Sequence, residues 1–400
     1  MKSLFTLLMF VITSQCLCGR ITPDDGSNFN VLTYGANGDG NTDDSNAFVK
    51  AWNDVCGTTQ GTPTLIIPEG KTFMLQPLSF QGPCKSTTIQ VEVKGTITAP
   101  KDIEAWKWKD NKRRSWVQFS KINGLAVYGE GTIDGQGAPW WKKYHDGDSN
   151  RPTAFQFIGC ESLTISNLNH INSPRNHISI DSCKNASISN LQIIAPENSP
   201  NTDGIDIASS SNIIINNLSI KTGDDCIAIN SGSNFINITG VLCGPGHGIS
   251  VGSLGKGGEY ATVEEVHVKD CTFTGTTNGA RIKTWKGGSG YARKITYENI
   301  KLVEVKNPII INQNYNPHIY DSSSEVVKVS DVTFLNIHGT SVNENTVQLN
   351  CDPKIGCDNI IIDHINITSV AGGEPHASCT NAHGTCSSSY PDVSCLSDNK

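Results

Sequence analysis

The sequence has few charged residues and no excess of positive ones. Of its 400 residues, 31 are Lys or Arg and 38 are Asp or Glu, so the net charge is −7, and charged residues make up only 17%. A general nucleic-acid-binding protein usually carries net positive charge, so we expect no nucleic-acid partner. A disordered chain is also excluded, because 37% apolar residues are enough to bury a core.

Long apolar runs are missing after the first 20 residues. A membrane-spanning helix needs roughly 18 or more apolar residues in a row, and no later segment offers them, so we expect no membrane partner. Residues 1–19 have the pattern of a secretory signal peptide, in which Lys2 precedes the apolar run Leu4 to Ile12 and small residues follow. The sequence therefore predicts a secreted, extracellular protein.

The cysteines agree with an oxidising compartment. Removing the signal peptide leaves 12 cysteines, an even number, and no CxxC pair of the kind that binds metals occurs, so we expect no metal. Close spacing favours three disulfides and a fourth between two of three cysteines: Cys56–Cys84, Cys226–Cys243, Cys351–Cys357, and two of Cys379, Cys386 and Cys395. Cys160, Cys183 and Cys271 remain as candidates for free, buried thiols. Four N-glycosylation sequons also fit a secreted glycoprotein: Asn185, Asn217, Asn237 and Asn366.

A short phrase of apolar, polar, Asn-like and apolar residues recurs from the middle of the chain onward. Gly and Asn are abundant, with 38 and about 37 copies, and both residues tolerate left-handed backbone at turns. The copies are 23 to 37 residues apart, which is a period typical of repeat proteins. They begin at Ile165, Ile188, Ile215, Ile238, Val268, Tyr297, Phe334 and Ile362.

This period favours an all-β fold, a single-stranded parallel β-helix of about ten coils. Short strands cannot bury a face alone, but stacked coils bury a continuous core, with the Asn residues at tight turns. A β-sandwich with Asn-rich loops is the alternative, although it has no reason to keep such a period. We expect one domain over residues 20–400, with a short N-terminal capping helix near Ala47–Val55 and a Cys-, Ser- and Gly-rich tail from about residue 372.

The same spacing brings chemically reactive residues together. Residues one period apart lie above one another in a stack of coils. The following residues fall about one coil apart: Asp203, the pair Asp224 and Asp225, His247, the pair Arg281 and Lys283, and Tyr315. The sequence therefore predicts a groove with three carboxylates, an imidazole, two cations and a phenol.

Crowded carboxylates beside a groove suit glycoside hydrolysis, in which one acid protonates the leaving oxygen and another carboxylate activates water. Neighbouring carboxylates push their pKa values apart, so that one stays protonated. An Arg beside a Lys can hold a carboxylate on a sugar. Each residue also has an ordinary explanation: Asp203 or His247 as turn residues, the Asp pair as a solvated or calcium-binding site, and the cations as a wet strand face.

Four motifs resemble those of polygalacturonases, glycoside hydrolase family 28, and the resemblance is greatest to the plant members. The motifs are NTDG at 201–204, GDDC at 223–226, GPGHG at 244–248 and RIK at 281–283. The segments VLTYGA at 31–36 and GDGNTD at 38–43 extend the resemblance over nearly the whole mature chain. The resemblance implies a right-handed parallel β-helix that hydrolyses α-1,4 bonds between galacturonate residues of pectin, with inversion and without a metal or other cofactor.

The resemblance also implies a role for each residue. Asp224 is expected to be the general acid, Asp203 and Asp225 to activate water, and His247 to tune the protonation of the acid. Arg281 and Lys283 are expected to bind the galacturonate carboxylate, with Tyr315 and Asn201 also contacting the sugar. One departure concerns Asn316-Pro317, where many plant relatives have a Cys, and this puts one family disulfide in doubt.

Two other functions stay open on the sequence alone. A pectate lyase can share the β-helix, but it needs acidic calcium ligands beside a basic residue, and the sequence has no sign of that arrangement. A catalytically silent wall protein that binds pectin is the second alternative. In each case we expect an anionic polysaccharide as the partner and a monomeric protein.

Overall fold

The computed structural model describes residues 27–108, 114–144, 150–315 and 325–396. The predicted signal peptide and the Asn316-Pro317 departure lie outside the described residues. Within these ranges the chain forms 32 strands, two α-helices and three short 3-10 segments, Val31–Tyr34, Ile103–Ala105 and Lys256–Gly258. None of the described helices has the length and apolar character that a membrane crossing requires.

The helices and strands follow one another in short segments. The first part contains β1 Asn28–Asn30, β2 Asp39–Asp43, α1 Ser45–Gly57, β3 Thr64–Ile67, β4 Thr72–Met74, β5 Leu78–Gln81, β6 Ile89–Val93, β7 Thr96–Thr98, β8 Ser115–Ser120, β9 Leu125–Tyr128, β10 Thr132–Asp134, α2 Ala138–Lys143, β11 Thr153–Ile158, β12 Thr164–Ser166, β13 Asn169–Ile171, β14 Ile178–Asp181, β15 Lys184–Ser189 and β16 Gln192–Ile194. The second part contains β17 Ile205–Ala208, β18 Ser211–Lys221, β19 Ile227–Ile229, β20 Ser233–Cys243, β21 Ile249–Leu254, β22 Tyr260–Lys269, β23 Thr272–Thr274, β24 Asn278–Thr284, β25 Ser289–Val305, β26 Asn307–Asn312, β27 Lys328–Ser341, β28 Asn345–Asn350, β29 Cys357–Asp363, β30 Asn366–Ser369, β31 His376–Thr380 and β32 Ala382–Ser387.

Every strand pairing between these elements is parallel, and the strands form two sheets. One sheet, called the catalytic sheet because the predicted catalytic residues lie beside it, has 11 strands in the order β5, β8, β11, β14, β17, β19, β21, β24, β26, β28 and β31. The remaining 21 strands form the outer sheet, which bends around the rest of the coil. Parallel strands joined by crossover connections are right-handed in nearly all proteins. The predicted right-handed parallel β-helix is therefore confirmed.

The eight copies of the repeated phrase stack in register. Ile165 pairs with Ile188, Ile188 with Ile215 and Ile215 with Ile238. The ladder continues through the remaining copies in order, Val268, Tyr297, Phe334 and Ile362. All eight side chains are at most 1% exposed, so the repeat marks one continuous apolar column of the core.

The polar residue two positions after each of these apolar residues makes the bend. Asn167, Asn190 and Asn217 have φ of 54°, 53° and 54°, and the later equivalents, including Gly240 and His364, are also left-handed. Asn tolerates this conformation better than most residues, and its amide can bond the next coil. Such a bond joins Asn336 Nδ2 to Asn299 Oδ1 at 2.7 Å. The prediction that Asn residues form the turns is confirmed.

Helix α1 packs against one end of the core, as the sequence predicts. Phe48, Ala51, Trp52 and Val55 are all at most 3% exposed. Trp52 lies 5.0 Å from Phe80, centroid to centroid, and the helix contacts β1 and β3. Its apolar face thereby covers side chains that the first coil would otherwise expose to water.

The disulfides follow the predicted pairs. Three are the expected Cys56–Cys84, Cys226–Cys243 and Cys351–Cys357, and the fourth is Cys379–Cys395. Cys160, Cys183 and Cys271 are free and buried, and Cys386 is also free. The Cys-, Ser- and Gly-rich segment after residue 372 contributes β31 to the catalytic sheet and β32 to the outer sheet.

Candidate active site

Three polar loops stack beside the middle strands of the catalytic sheet. Ile205, Ile227 and Ile249 are paired in register, and Asp203, Asp225 and His247 each lie two residues before one of them. Backbone hydrogen bonds join the loops, from Gly204 N to the carbonyl of Asp225 and from His247 N to the carbonyl of Asp224. The structure therefore brings the predicted residues together, with Asp203 level with Asp225 rather than with Asp224.

Asp224 is held at both carboxylate oxygens. Its Oδ1 accepts hydrogen bonds from His247 Nδ1 at 2.9 Å and from the Asp225 N–H at 2.8 Å. Its Oδ2 accepts from Asn201 Nδ2 at 3.0 Å. A carboxylate only accepts hydrogen bonds, so the hydrogen atom in this bond is carried by Nδ1 of His247. Asp224 is therefore oriented by three donors, while 16% of its side chain stays exposed.

Asp225 lies deeper and contacts both cations. Its Oδ1 accepts from Arg281 Nη2 at 2.5 Å and from Ser250 Oγ at 2.8 Å, and its Oδ2 accepts from Lys283 Nζ at 2.8 Å. Only 1% of the Asp225 side chain is exposed. The contacts with two cations compensate the buried Asp225 carboxylate for its lost hydration. Its single negative charge balances only one of the two cations, so the three side chains together keep a net positive charge.

We define the acidic cluster as Asp203, Asp224 and Asp225. Within it, the pKa values of Asp203 and Asp224 are shifted in opposite directions. Burial raises the pKa of Asp203 well above its usual range, and the negative charges of Asp224, Asp206 and Asp225 raise it further. Burial also acts to raise the pKa of Asp224, but the hydrogen bond and charge of His247 and the charges of both cations outweigh it and lower that pKa to about 2. Burial and neighbouring charge therefore favour a proton on Asp203 over a proton on Asp224.

Tyr315 and Asn201 border this group. The ammonium of Lys283 lies 5.3 Å from the centroid of the Tyr315 ring, and Tyr315 packs edge-on against Trp285 at 5.4 Å. Asn201 accepts a hydrogen bond from Arg151 Nη2 at 2.6 Å while it donates to Asp224. The structure thus places all eight predicted residues in one neighbourhood.

Glycines allow the loops to approach closely. Gly246, in the GPGHG motif, has φ of 153°, and a Cβ there would lie 2.9 Å from the carbonyl oxygen of Asp224. A Cβ on Gly223 would lie 2.0 Å from the carbonyl oxygen of Ser199. A side chain at Gly246 would push apart the loops that carry Asp224 and His247, and one at Gly223 would push the Asp224 loop away from the segment of Ser199.

Among the described residues, one group of acids and histidine has the proximity of metal ligands. One ligand atom from each of Asp224, Asp225 and His247 lies within 4.8 Å of the others. However, Asp225 already contacts Arg281 and Lys283, and these two positively charged side chains would repel a metal ion placed beside them. The contacts favour a hydrogen-bonded acid–base group over a cation site.

Sequence reasoning missed several residues of the site. Ser250 bridges Asp225 and Arg281, and its register partner in β24 is Arg281, so the coil period could have found it. Arg151 is fully buried and bonds the carbonyl oxygens of Pro174 and Pro200 as well as Asn201. It lies two coils upstream of Asn201 with no motif around it, so no sequence signal pointed to it.

Comparison with known proteins supports a single family. The model of the glycosyl hydrolases family 28 matches residues 56–389. A probable polygalacturonase of Arabidopsis thaliana is 49% identical over 373 residues, covering 92% of this chain and 80% of the relative. A polygalacturonase of Persea americana is 42% identical over 367 residues, covering 90% of this chain and 78% of the relative.

A solved structure agrees with the fold. The crystal structure of endo-xylogalacturonan hydrolase from Aspergillus tubingensis superposes with a TM-score of 0.75 at 25% identity, covering 90% of this chain and 96% of that one. The family resemblance inferred from the four motifs is thereby confirmed. The chain belongs to the glycosyl hydrolases of family 28.

Proposed function

We propose that this protein is a polygalacturonase that hydrolyses α-1,4 bonds between galacturonate residues of pectin, with inversion and without a metal. The observation that carries the proposal is the acidic cluster beside Arg281 and Lys283, because it combines proton-transfer groups with positive charge for an acidic sugar. The relatives named polygalacturonase agree with this substrate.

In the proposed reaction, Asp224 protonates the glycosidic oxygen while Asp203 and Asp225 activate the attacking water. His247 donates to Asp224 Oδ1 and so holds that carboxyl in one orientation through the proton transfer. Asp225 is held in place by Arg281 and Lys283, and in this reaction it accepts a hydrogen bond from the water. Asp203 would have to lose its proton to act as a base.

This assignment requires the proton to change place when substrate binds. Without substrate, the raised pKa of Asp203 and the lowered pKa of Asp224 favour the proton on Asp203. A galacturonate carboxylate beside Lys283 adds a negative charge and excludes water, and both changes raise the pKa of Asp224. A proton that moves from Asp203 to Asp224 leaves one acid and one base, as an inverting hydrolysis needs.

We further propose that the sugar carboxylate binds against Lys283 and Arg281, with Tyr315 and Asn201 contacting the sugar. Lys283 and Arg281 are 9% and 11% exposed at the side chain, so the carboxylate would meet their outer edges. Arg281 is held by Asp225 and Ser250, and Lys283 by Asp225 and the Tyr315 ring, so neither cation has to be ordered on binding.

The decisive experiment compares the wild-type protein with Asp224→Asn on de-esterified polygalacturonate, counting new reducing ends. General acid–base groups contribute roughly 10²–10⁴-fold, so we expect the variant to lose at least about 100-fold in kcat while its melting curve is unchanged. Asp392→Asn, which changes an exposed carboxylate after β32, is the matched control and should keep full activity. Near-wild-type activity of Asp224→Asn would refute the role of Asp224.

The same assay separates the alternatives. A pectate lyase produces an unsaturated sugar that absorbs ultraviolet light, and chelation of calcium abolishes its activity, whereas hydrolysis yields reducing ends without absorbance. A silent binding protein yields neither product. We propose in addition that the protein is secreted to the cell wall and acts there as a monomer, which signal cleavage and size-exclusion chromatography of the secreted protein would test.

A further inference from the structure

His177 is a buried histidine beside the loop that carries Asp203. It directly precedes β14 and is 0% exposed. Ile178 pairs with Ile205 in the catalytic sheet, so His177 lies one coil before the peptide group that joins Asp203 to Gly204. The proposed reaction gives this residue no role, although a buried imidazole needs partners for its ring nitrogens.

Both ring nitrogens of His177 have backbone partners. Nε2 accepts a hydrogen bond from the Ser173 N–H at 3.3 Å, so Nδ1 carries the hydrogen atom of the neutral ring. Nδ1 lies 3.1 Å from the carbonyl oxygen of Asp203 and donates to it. Burial lowers the pKa of His177 to about 4, although the bond to Asp203 opposes this shift, so the ring is uncharged above that pH.

The carbonyl oxygen of Asp203 accepts two hydrogen bonds from this one residue. The second comes from the backbone N–H of His177 at 2.8 Å and is the ordinary bond between successive coils. On the other side of the same peptide group, the Gly204 N–H donates to the carbonyl of Asp225 at 2.9 Å. The peptide group is therefore held from the preceding and the following coil, and its orientation limits where the Asp203 carboxyl group can point.

The other end of the same loop is held by a different side chain. Arg151 donates to the carbonyl of Pro200 and to the amide oxygen of Asn201, and Asn201 in turn donates to Asp224. These contacts orient the general acid, and neither contact of Arg151 is to Asp203. The position of the carboxyl group that must act as base is therefore assigned to His177.

We propose that His177 is a positioning residue of the reaction, whose Nδ1–H fixes the Asp203 backbone so that this carboxyl group meets the attacking water beside Asp225. The inference rests on the proposed function, because it takes Asp203 to activate that water. His177 is fully buried, so it does not contact the sugar. Its replacement should therefore lower kcat and leave KM nearly unchanged.

The test measures kcat and KM on de-esterified polygalacturonate for the wild type, His177→Phe, His177→Asn and His177→Gln. A Phe ring fills the space but donates nothing, and a small misplacement of a catalytic group is costly, so kcat of His177→Phe should fall roughly 10- to 100-fold while KM changes less than about twofold. The amide nitrogen of Asn can take the position of Nδ1, so His177→Asn should recover most of kcat. The Gln amide reaches the position of Nε2 instead, so His177→Gln should not.

His170 offers the matched control. It is a second buried histidine, 1% exposed, which lies in register with Ile133 and Ile193 and packs edge-on against Phe155 at 5.3 Å between centroids. Among the described atoms, neither of its ring nitrogens has a hydrogen-bond partner. His170→Phe makes the same replacement in the same core without removing a bond to the loop, so its kcat should stay within about twofold of the wild type.

Three outcomes overturn the inference while the wild type is active. These are a wild-type kcat in His177→Phe, an equal kcat in His177→Asn and His177→Gln, and a loss in His170→Phe as large as in His177→Phe. If His177→Phe does not fold, the Asn and Gln variants decide the same question, because they differ in which ring nitrogen they replace. A wild-type protein that hydrolyses no polygalacturonate refutes the proposed function itself, so the two failures are distinguishable.

Discussion

Asp206 should make the protein less stable as the pH rises. It lies in β17, between Ser179 and Ala228 in the catalytic sheet, and among the described atoms its Oδ1 has no hydrogen-bond partner. Burial raises the pKa of Asp206 to about 7, and Arg175 only partly opposes this while Asp225 and Asp224 add to it. Replacing the carboxyl by an amide of the same shape removes the charge that is costly to form there.

The sign and the size follow from this pKa. A carboxyl whose pKa is raised in the folded state stabilises the protein fully below its unfolded pKa, and this contribution is lost as the pH rises through the folded pKa. The difference between 3.8 and about 7 corresponds to about 4 kcal/mol at most. Because the side chain is partly exposed, we expect Asp206→Asn to stabilise the protein by roughly 2 kcal/mol near pH 8 and hardly at all near pH 4.

Urea unfolding followed by tryptophan fluorescence at the two pH values measures this difference. Asp392→Asn serves as the control for removing an exposed carboxylate, and it should show no comparable dependence on pH. A gain in the free energy of unfolding that is equal at both pH values would show that the charge of Asp206 is not its cause. Destabilisation of Asp206→Asn at pH 8 would refute the reasoning altogether.

Three further changes test other parts of the structure. Lys283→Ala should raise KM for de-esterified polygalacturonate about tenfold and affect methyl-esterified pectin less, as initial rates on both substrates would show, since the lost contact is to the sugar carboxylate. Replacing Cys226 and Cys243 together by Ser should lower the free energy of unfolding by about 3 kcal/mol, measured by denaturant titration, because the disulfide spans 17 residues and restricts the unfolded chain. Trp52→Ala should cost about 3–5 kcal/mol in the same titration and leave kcat unchanged, because Trp52 packs at the capped end of the core.

The repeated phrase explains why so much of the fold was predictable. A parallel β-helix places equivalent residues of successive coils in contact, so its spatial order can be seen in the spacing along the chain. Ile188 and Ile215 pair in the sheet for the same reason that they share a motif. Asn190 and Asn217 recur because each coil must turn through a left-handed residue at that point.

The electrostatics of the site were harder to predict. Spacing indicated that Asp225, Arg281 and Lys283 would be neighbours, but it did not show that both cations would contact that one carboxylate. It also did not show that the pKa of Asp203 would be raised while that of Asp224 would be lowered. Such properties depend on depth of burial and on distances of a few ångströms, which spacing along the chain does not specify.

The sequence by itself determined the β-helix, the stacking of the acids with the histidine and cations, and the family, because all of these follow from motifs repeated at the length of one coil. Only the tertiary structure decided how Arg151 supports Asn201 and how Gln313 holds the Cys351–Cys357 loop. Arg151 and this loop lie outside the recurring phrase. Their contacts form where side chains meet across coils, so they depend on the packed shape of the molecule.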